Sequence, residues 1–427
     1  MRDRRNISLN ACKLLCLHQV KDYNNESLTL SRSKNLYKSL ILAERALLDT
    51  MNSKHVFVII ACILLLSLLF YSFFNIGHEN EFAEFYVGVD VAYADLDKIK
   101  NLVDQIAGYT NMVIIGSTGI TYNQYNLNQT ILYLEDQDLS YVVFAAGATR
   151  LVSINESVAS YNDNFVGIYY DDENGGRQLD LDDRRSVFNA DNYSDAASQF
   201  IDSISYRLNA EFYLNTSYSF IVPSSFRVFT SDYALYWFDY VGGYDVVLAQ
   251  LGWNYSRQIN VALCRGAATI HDRDWGVIVT WTYTEPPYLG SGEALFDDLV
   301  LAYENGAKYA LVFDSNEDYT QSILSQEHLD ALEKFWQYTK EHPRPADLLD
   351  GRVAFVLPKD YGYGFRGSDD KVWGLWDNDE LSPKVSEDLR ILLEEYGFKL
   401  DVIYDDGLEL DDTYKQYFFW NGTSYPP

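Results

Sequence analysis

Phe165-Val-Gly-Ile-Tyr-Tyr170 runs straight into Asp171-Asp172-Glu173-Asn174-Gly175-Gly176. The first six residues are apolar with no polar alternation, the pattern of a parallel strand buried on both faces of an α/β sheet. The next three are carboxylates at that strand's C-terminal end, the place where α/β sheets and barrels bind their ligands.

The same strand-then-helix unit repeats on both sides of this stretch. Strands are expected over Phe85–Val91, Met112–Ile115, Tyr141–Phe144, Phe226–Phe229, Asp245–Gln250, Trp275–Trp281 and Tyr309–Phe313. Helical spacing follows at Leu96–Ile106, with Asp95 as N-cap, at about Ala196–Asn209, from about Ser256, at Gly292–Asn305 and at Gln326–Lys340. Counted with the opening strand, these units between residues 83 and 342 predict an α/β fold of the (β/α)8 TIM-like barrel type. The competing doubly wound open sheet lacks its phosphate-cradling glycine motif after the first strand. Beyond Pro343 and Pro345, residues 351–427 offer strands at Arg352–Leu357, Phe398–Ile403 and Tyr417–Trp420 with a helix near Ser386–Tyr396. That is the pattern of a partial, small flavodoxin-like α/β unit.

In a (β/α)8 barrel every strand end opens on one mouth, which gathers Asp90, Asp171, Asp172, Glu173, Asp232, Glu285 and Asp314. Glu173 and Glu285 follow strands four and seven, on opposite sides of it. Glycosidic cleavage uses two carboxylates in different protonation states. Crowding by Asp171 and Asp172 predicts a raised pKa for Glu173, which makes it the general acid/base and Glu285 the nucleophile. Tyr169, Tyr170, Trp253, Trp281, Tyr283 and Tyr288 offer rings that stack on sugars. With Asp171, Asp172, Asp232, Gln250 and Asp314, the rings of Tyr170, Trp253, Trp281 and Tyr283 make up the expected substrate-binding set.

This arrangement resembles the large clan of retaining glycoside hydrolases on (β/α)8 barrels, whose acid/base follows strand four and whose nucleophile follows strand seven. The resemblance implies those roles for Glu173 and Glu285 and a carbohydrate partner. Where the clan places Asn before its strand-four acid, this chain has Asp172. The trailing unit resembles the second domain of some barrel galactosidases. Other readings of the same residues stay open: an N-cap cluster or a weak Ca²⁺ site for Asp171-Asp172-Glu173, and a plain loop acid for Glu285.

The formal charge of −29 argues against nucleic-acid binding. His55–Phe74 is a continuous apolar run of membrane-spanning length, with Arg45 and Lys54 before it and Glu79, Glu81 and Glu84 after it. The expectation is a disordered cytoplasmic tail over 1–54, a transmembrane signal anchor over 55–75 and an extracellular remainder. Met51 stands where a short signal anchor would begin. Sequons at Asn128, Asn155, Asn192, Asn215, Asn254 and Asn421 fit an exported glycoprotein. Cys12, Cys16, Cys62 and Cys264 build no disulfide framework. Scattered histidines (His78, His271, His328 and His342) disfavour zinc and Ser-His-Asp chemistry, and His271 reads as a helix-terminal residue. No motif calls for a metal or cofactor. The expected function is a membrane-anchored extracellular glycoside hydrolase. The alternative is a non-catalytic surface glycoprotein that uses the barrel as a carbohydrate-binding or structural module.

Overall fold

A computed structural model describes residues 85–145, 164–181, 184–212, 227–345, 348–408 and 410–426. The tail 1–54, the apolar run 55–74 and the sequons at Asn155 and Asn215 lie outside the described residues. Among the described residues no helix is long and apolar enough to cross a membrane. Residues from Phe82 to Pro427 form one compact unit.

Eight strands close into a barrel in chain order. They are β1 (Tyr86–Val91), β2 (Met112–Ile115), β3 (Ser140–Ala145), β4 (Phe165–Tyr170), β5 (Arg227–Asp232), β6 (Val246–Leu251), β7 (Asp274–Val279) and β8 (Tyr309–Asp314). All neighbours are parallel, and β8 returns to β1 with Phe313 opposite Asp90. Alternation along each strand sorts its side chains. Val87, Val89 and Val91 face the helices, whereas Tyr86 joins Met112, Ile114, Tyr169, Leu248 and Tyr309 inside the barrel. The interior is a filled core that stops below the mouth, as in other barrels of this kind.

The helices on the outside are α1 (Leu96–Ile106), α2 (Thr118–Thr121), α3 (Gln124–Asp136), α4 (Asn174–Asp180), α5 (Tyr193–Phe212), α6 (Tyr236–Gly242), α7 (Arg257–Ile270), α8 (Gly292–Glu304) and α9 (Gln326–Glu341). Helix α1 forms where its spacing predicts. Asp95 accepts from the amides of Asp97 and Lys98, and Ile99, Leu102, Val103 and Ile106 make the buried stripe. Ser325 and His328 form a capping box at the start of α9. His271 is the C-cap of α7, and Cys264 is a free, buried thiol.

The C-terminal unit is a four-stranded sheet in the order β10-β9-β11-β12, made of β9 (Val353–Leu357), β10 (Leu400–Tyr404), β11 (Gln416–Phe419) and β12 (Ser424–Tyr425). Strand β9 lies between β10 and β11 and is parallel to both, and β12 folds back antiparallel on β11. Helix α10 (Ser382–Tyr396) connects β9 to β10. The three parallel strands follow the 2-1-3 opening of a doubly wound sheet, but no helix lies among the described residues between β10 and β11. Helix α10 starts earlier than its apolar spacing predicts because Pro383 fits the first turn of a helix, where no amide is needed.

Buried charge fastens this sheet to the barrel. Arg265 of α7, 2% exposed, donates to Asp401 Oδ1 at 2.7 Å, to Asn305 Oδ1 at 2.9 Å and to the carbonyls of Phe398 and Leu400. Arg352 holds the other Asp401 oxygen at 2.5 Å and also reaches Thr269 Oγ1. Gly266 brings α7 against β10: a Cβ there would stand 2.5 Å from the carbonyl oxygen of Val402.

Candidate functional site at the barrel mouth

The end of β4 divides its three acids among three tasks. Asp171 adopts φ 52° and turns outward, where Arg177 and Arg207 hold its carboxylate at 2.7 and 2.9 Å. Asp172 stays in the mouth. Its neighbours are largely protein, and burial, together with the charges of Glu173 and Asp171, pushes its pKa up to about 7. Glu173 adopts φ 54° and sits at the N-cap position of α4, but its side chain makes no cap bond. Its Oε1 accepts instead from Gln250 Nε2 at 3.1 Å.

Capping of α4 is done from the next strand. Asp232 accepts from the amides of Gly175, Gly176, Tyr233 and Ala234. The glycine pair is required by this close approach, since a Cβ on Gly175 would lie 2.2 Å from Ala234 O and one on Gly176 2.0 Å from the Tyr233 ring. Buried Asp239 stands beside Asp232. Desolvation raises both carboxyls; the four amide bonds pull Asp232 back down, whereas the charge of Asp232 raises Asp239 further.

On the inner side, Ser231 links three strands. Its hydroxyl meets Tyr169 Oη at 2.6 Å and accepts from Gln250 Nε2 at 2.9 Å, and its carbonyl accepts from the Glu173 amide at 2.7 Å. Across the mouth, Asp90 of β1 is only 3% exposed, and its Oδ1 has no hydrogen-bond partner among the described residues. Burial first, then the charges of Asp172 and Asp314, hold its carboxyl well above the usual range. Asp90 and Asp172 are thus two carboxyls raised first by burial, with Asp172 next to Glu173. Tyr319, on the loop after β8, is partly exposed near this group, and desolvation first, then the charges of Asp172, Glu173 and Asp90, raise its hydroxyl.

The aromatic rim is partly as expected. Trp253 (39% exposed) and Tyr283 (51%) line an open cleft of about 510 Å³ with Thr282, Glu285 and Pro287. Trp281 is half-buried, donates to the carbonyl of Ser315 at 2.9 Å and packs on Tyr288 with ring centroids 5.2 Å apart. Glu285 is exposed in the loop after β7, and its side chain has no hydrogen bond or ion pair among the described residues.

The structure therefore brings Asp172, Glu173 and Gln250 together and gives other tasks to Asp171, which its arginines hold outward, and to three further expected residues. Tyr170 is 5% exposed and packs outward among the helices, because it alternates with inward Tyr169. Asp232 is committed to the α4 amides. Asp314 accepts from Ser322 Oγ, Ile323 N and Leu324 N, which pins the loop that carries Tyr319. Ser231 and Tyr319 escaped the sequence reading, and Asp90 was gathered with the strand-end acids without a role. Alternation held the signal for Asp90: it falls between Val89 and Val91, both outward, so it points in.

Backbone strain gathers at the same end. Asp171, Glu173, Leu235, Trp253, Tyr288 and Tyr319 all have positive φ, and each belongs to a loop that follows a barrel strand. At the opposite end the non-glycine examples are Asp138 and Asp272, a residue type that tolerates this region. Glu, Leu, Trp and Tyr do not, and such strain concentrates at functional sites.

No family model matches the chain, and no curated protein sequence matches it. Solved structures similar to it include a GH20 catalytic module of the pneumococcal exo-β-D-N-acetylglucosaminidase StrH, at 9% identity and a TM-score of 0.40, covering 63% of this chain and 88% of that one. A D-psicose 3-epimerase from Clostridium cellulolyticum H10 is similar at 9% identity and a TM-score of 0.35, covering 61% and 100%. A truncated 3-deoxy-D-arabino-heptulosonate 7-phosphate synthase from Thermotoga maritima gives 9% and 0.35, covering 60% and 87%. The activities in this set differ from one another, and the likeness assigns none of them to this chain.

Proposed function

We propose that the barrel mouth binds glycans and hydrolyses a glycosidic bond, with Asp172 as proton donor and Glu173 as the second carboxylate. The observation that carries this reading is the half-buried Asp172 beside Glu173, with a pKa of about 7, under a rim of strained aromatic loops. A carboxyl poised near neutrality is suited to give its proton to the leaving oxygen. Glu173, oriented by Gln250, is suited to face the developing positive charge at the anomeric carbon or to direct water to it. Glu285, in the loop after β7, remains the candidate nucleophile. In this reading the apolar run 55–74 anchors the chain in a membrane and the barrel works outside the cell.

One observation favours a second reading, a carbohydrate-binding barrel without catalysis: Glu285 lies exposed and unfixed, whereas nucleophiles are normally oriented by neighbours. A screen of 4-nitrophenyl glycosides with wild type, Asp172→Asn, Glu173→Gln and Glu285→Gln decides between them. Hydrolysis is expected in wild type, with losses of about 100-fold or more in the first two variants. A comparable loss in Glu285→Gln identifies it as the nucleophile. Glycan binding without turnover supports the binding module, and turnover indifferent to Asp172 and Glu173 refutes the assigned roles.

A further inference from the structure

Among the described residues Asp239, on α6, is the one acid whose two carboxyl oxygens are both buried without an N–H or O–H donor. It is 0% exposed, and its hydrogen-bond contact is with a second buried carboxyl, Asp232 at the end of β5. The two acids differ in what faces them. Asp232 Oδ1 accepts from the amides of Gly176, Tyr233 and Ala234 at 2.8, 2.7 and 3.1 Å, and Oδ2 from Gly175 at 2.5 Å. Four amide donors suit a carboxylate anion.

Asp239 receives no such donor. The groups whose charge or titration touches it are Asp232 of β5, Asp171 past β4, Arg207 of α5, Cys264 of α7, Tyr236 and Tyr240 on its own helix, and Tyr244 just beyond. Arg207 is the cation in that set, and its terminal nitrogens are taken by Asp171 and Asn174. Two buried acids in contact cannot both be ionised, and two acceptors bond only when one of them carries a proton. The amides give the charge to Asp232 and leave the proton to Asp239. The pair reaches the mouth through the backbone. Gly175 and Gly176 follow Glu173 directly after Asn174, and the Glu173 amide donates to the carbonyl of Ser231, the residue before Asp232, at 2.7 Å. Asp232 therefore clamps the turn on which Asp172 and Glu173 stand.

We propose that Asp239 is a positioning residue of the mouth: kept neutral, it donates its carboxyl proton to Asp232 and so holds the Asp172-Glu173 turn against β5. Its effect on turnover rests on the hydrolytic reading; the clamp itself does not. The test compares wild type with Asp239→Asn, which keeps a donor without a charge, and Asp239→Leu, which fills the space without a donor. Backbone hydrogen exchange over residues 171–180 is read by mass spectrometry on the full chain. It is expected to quicken about tenfold in Asp239→Leu and to stay within about twofold of wild type in Asp239→Asn. A buried acid that keeps its proton contributes stability below its ordinary pKa and loses it as pH rises. The thermal midpoint of Asp239→Asn should therefore gain on that of wild type from about pH 5 to about pH 8. On any 4-nitrophenyl glycoside that wild type cleaves, Asp239→Leu should lower kcat about tenfold with KM within about twofold, and Asp239→Asn should recover most of that loss.

Exchange in Asp239→Leu equal to wild type overturns the proposal, as does Asp239→Asn exchanging as fast as Asp239→Leu. A midpoint difference that stays flat or shrinks as pH rises also overturns it, because Asp239 is then ionised. If Asp239→Leu does not fold, the exchange and the midpoint of Asp239→Asn decide by the same criteria. Faster exchange with unchanged kcat confines the pair to the fold and refutes the positioning role. Exchange and midpoints as expected, with no hydrolysis by any form, uphold the clamp and refute only the catalytic reading.

Discussion

Asp401 at the joint between barrel and sheet and Asp90 in the mouth are both almost completely buried, 0% and 3% exposed, yet they meet desolvation in opposite ways. Asp401 is bonded by two arginines, Arg265 and Arg352, whose remaining donors are taken by carbonyls and side chains. Asp90 has no cation, one unpartnered oxygen and a carboxyl raised by burial. A paired buried acid fixes architecture, because breaking the pair leaves charge in a low dielectric. An unpaired one costs stability and persists where a ligand or a proton is handled. The contrast separates what holds this molecule together from what it presents.

Three measurements can break or sharpen that contrast. The largest effect is expected at the joint. Asp401→Ala strands two buried guanidinium groups and should destabilise the folded unit by about 3–5 kcal/mol, read by denaturant unfolding. A loss below about 1 kcal/mol would remove the joint's claim to be structural.

In the mouth the sign reverses. Asp172 has a folded-state pKa of about 7 against an ordinary 3.8, so the native state holds a proton that the unfolded chain releases between those values. Stability from this group is present below about pH 4 and is lost as pH rises through about 7. Asp172→Asn should therefore flatten the pH dependence of the thermal midpoint over that window. At pH 8 it should be more stable than wild type by on the order of 1–3 kcal/mol. A destabilised Asp172→Asn at pH 8 would mean that the carboxylate, not the acid, is what the fold accommodates.

The smallest effect is at the rim. Tyr319 pays for a left-handed φ of 55°, and Tyr319→Gly should gain about 1 kcal/mol of stability while weakening glycan binding. A stability loss instead would show the ring to be a packing group.

Much of the fold was legible because barrel strands buried on both faces, such as Val246–Leu251, leave unbroken apolar runs. The acids at their ends were legible as a set, but their division of labour was not. Asp232 and Asp314 end strands just as Asp172 follows one, and only the one-residue alternation decides which face each takes. At β4 even alternation fails. Positive φ at Asp171 and Glu173 re-aims both side chains, and no spacing in the sequence reports that turn. The partner that caps α4 comes from another strand, 57 residues from Gly175, so the open reading of Asp171-Asp172-Glu173 as an N-cap cluster could not be decided locally. Glu285 was legible as a loop acid past β7, but its freedom from neighbours emerges only once that loop is folded.

The most direct test of the mouth's chemistry is the pH–rate profile of glycoside hydrolysis in wild type and Asp172→Asn. The account expects the wild-type rate to fall as pH rises through about 7, as Asp172 loses its proton. It expects the variant to lose that limb together with most of its activity. A wild-type profile flat through pH 7, or an Asp172→Asn variant that retains both rate and limb, would contradict it.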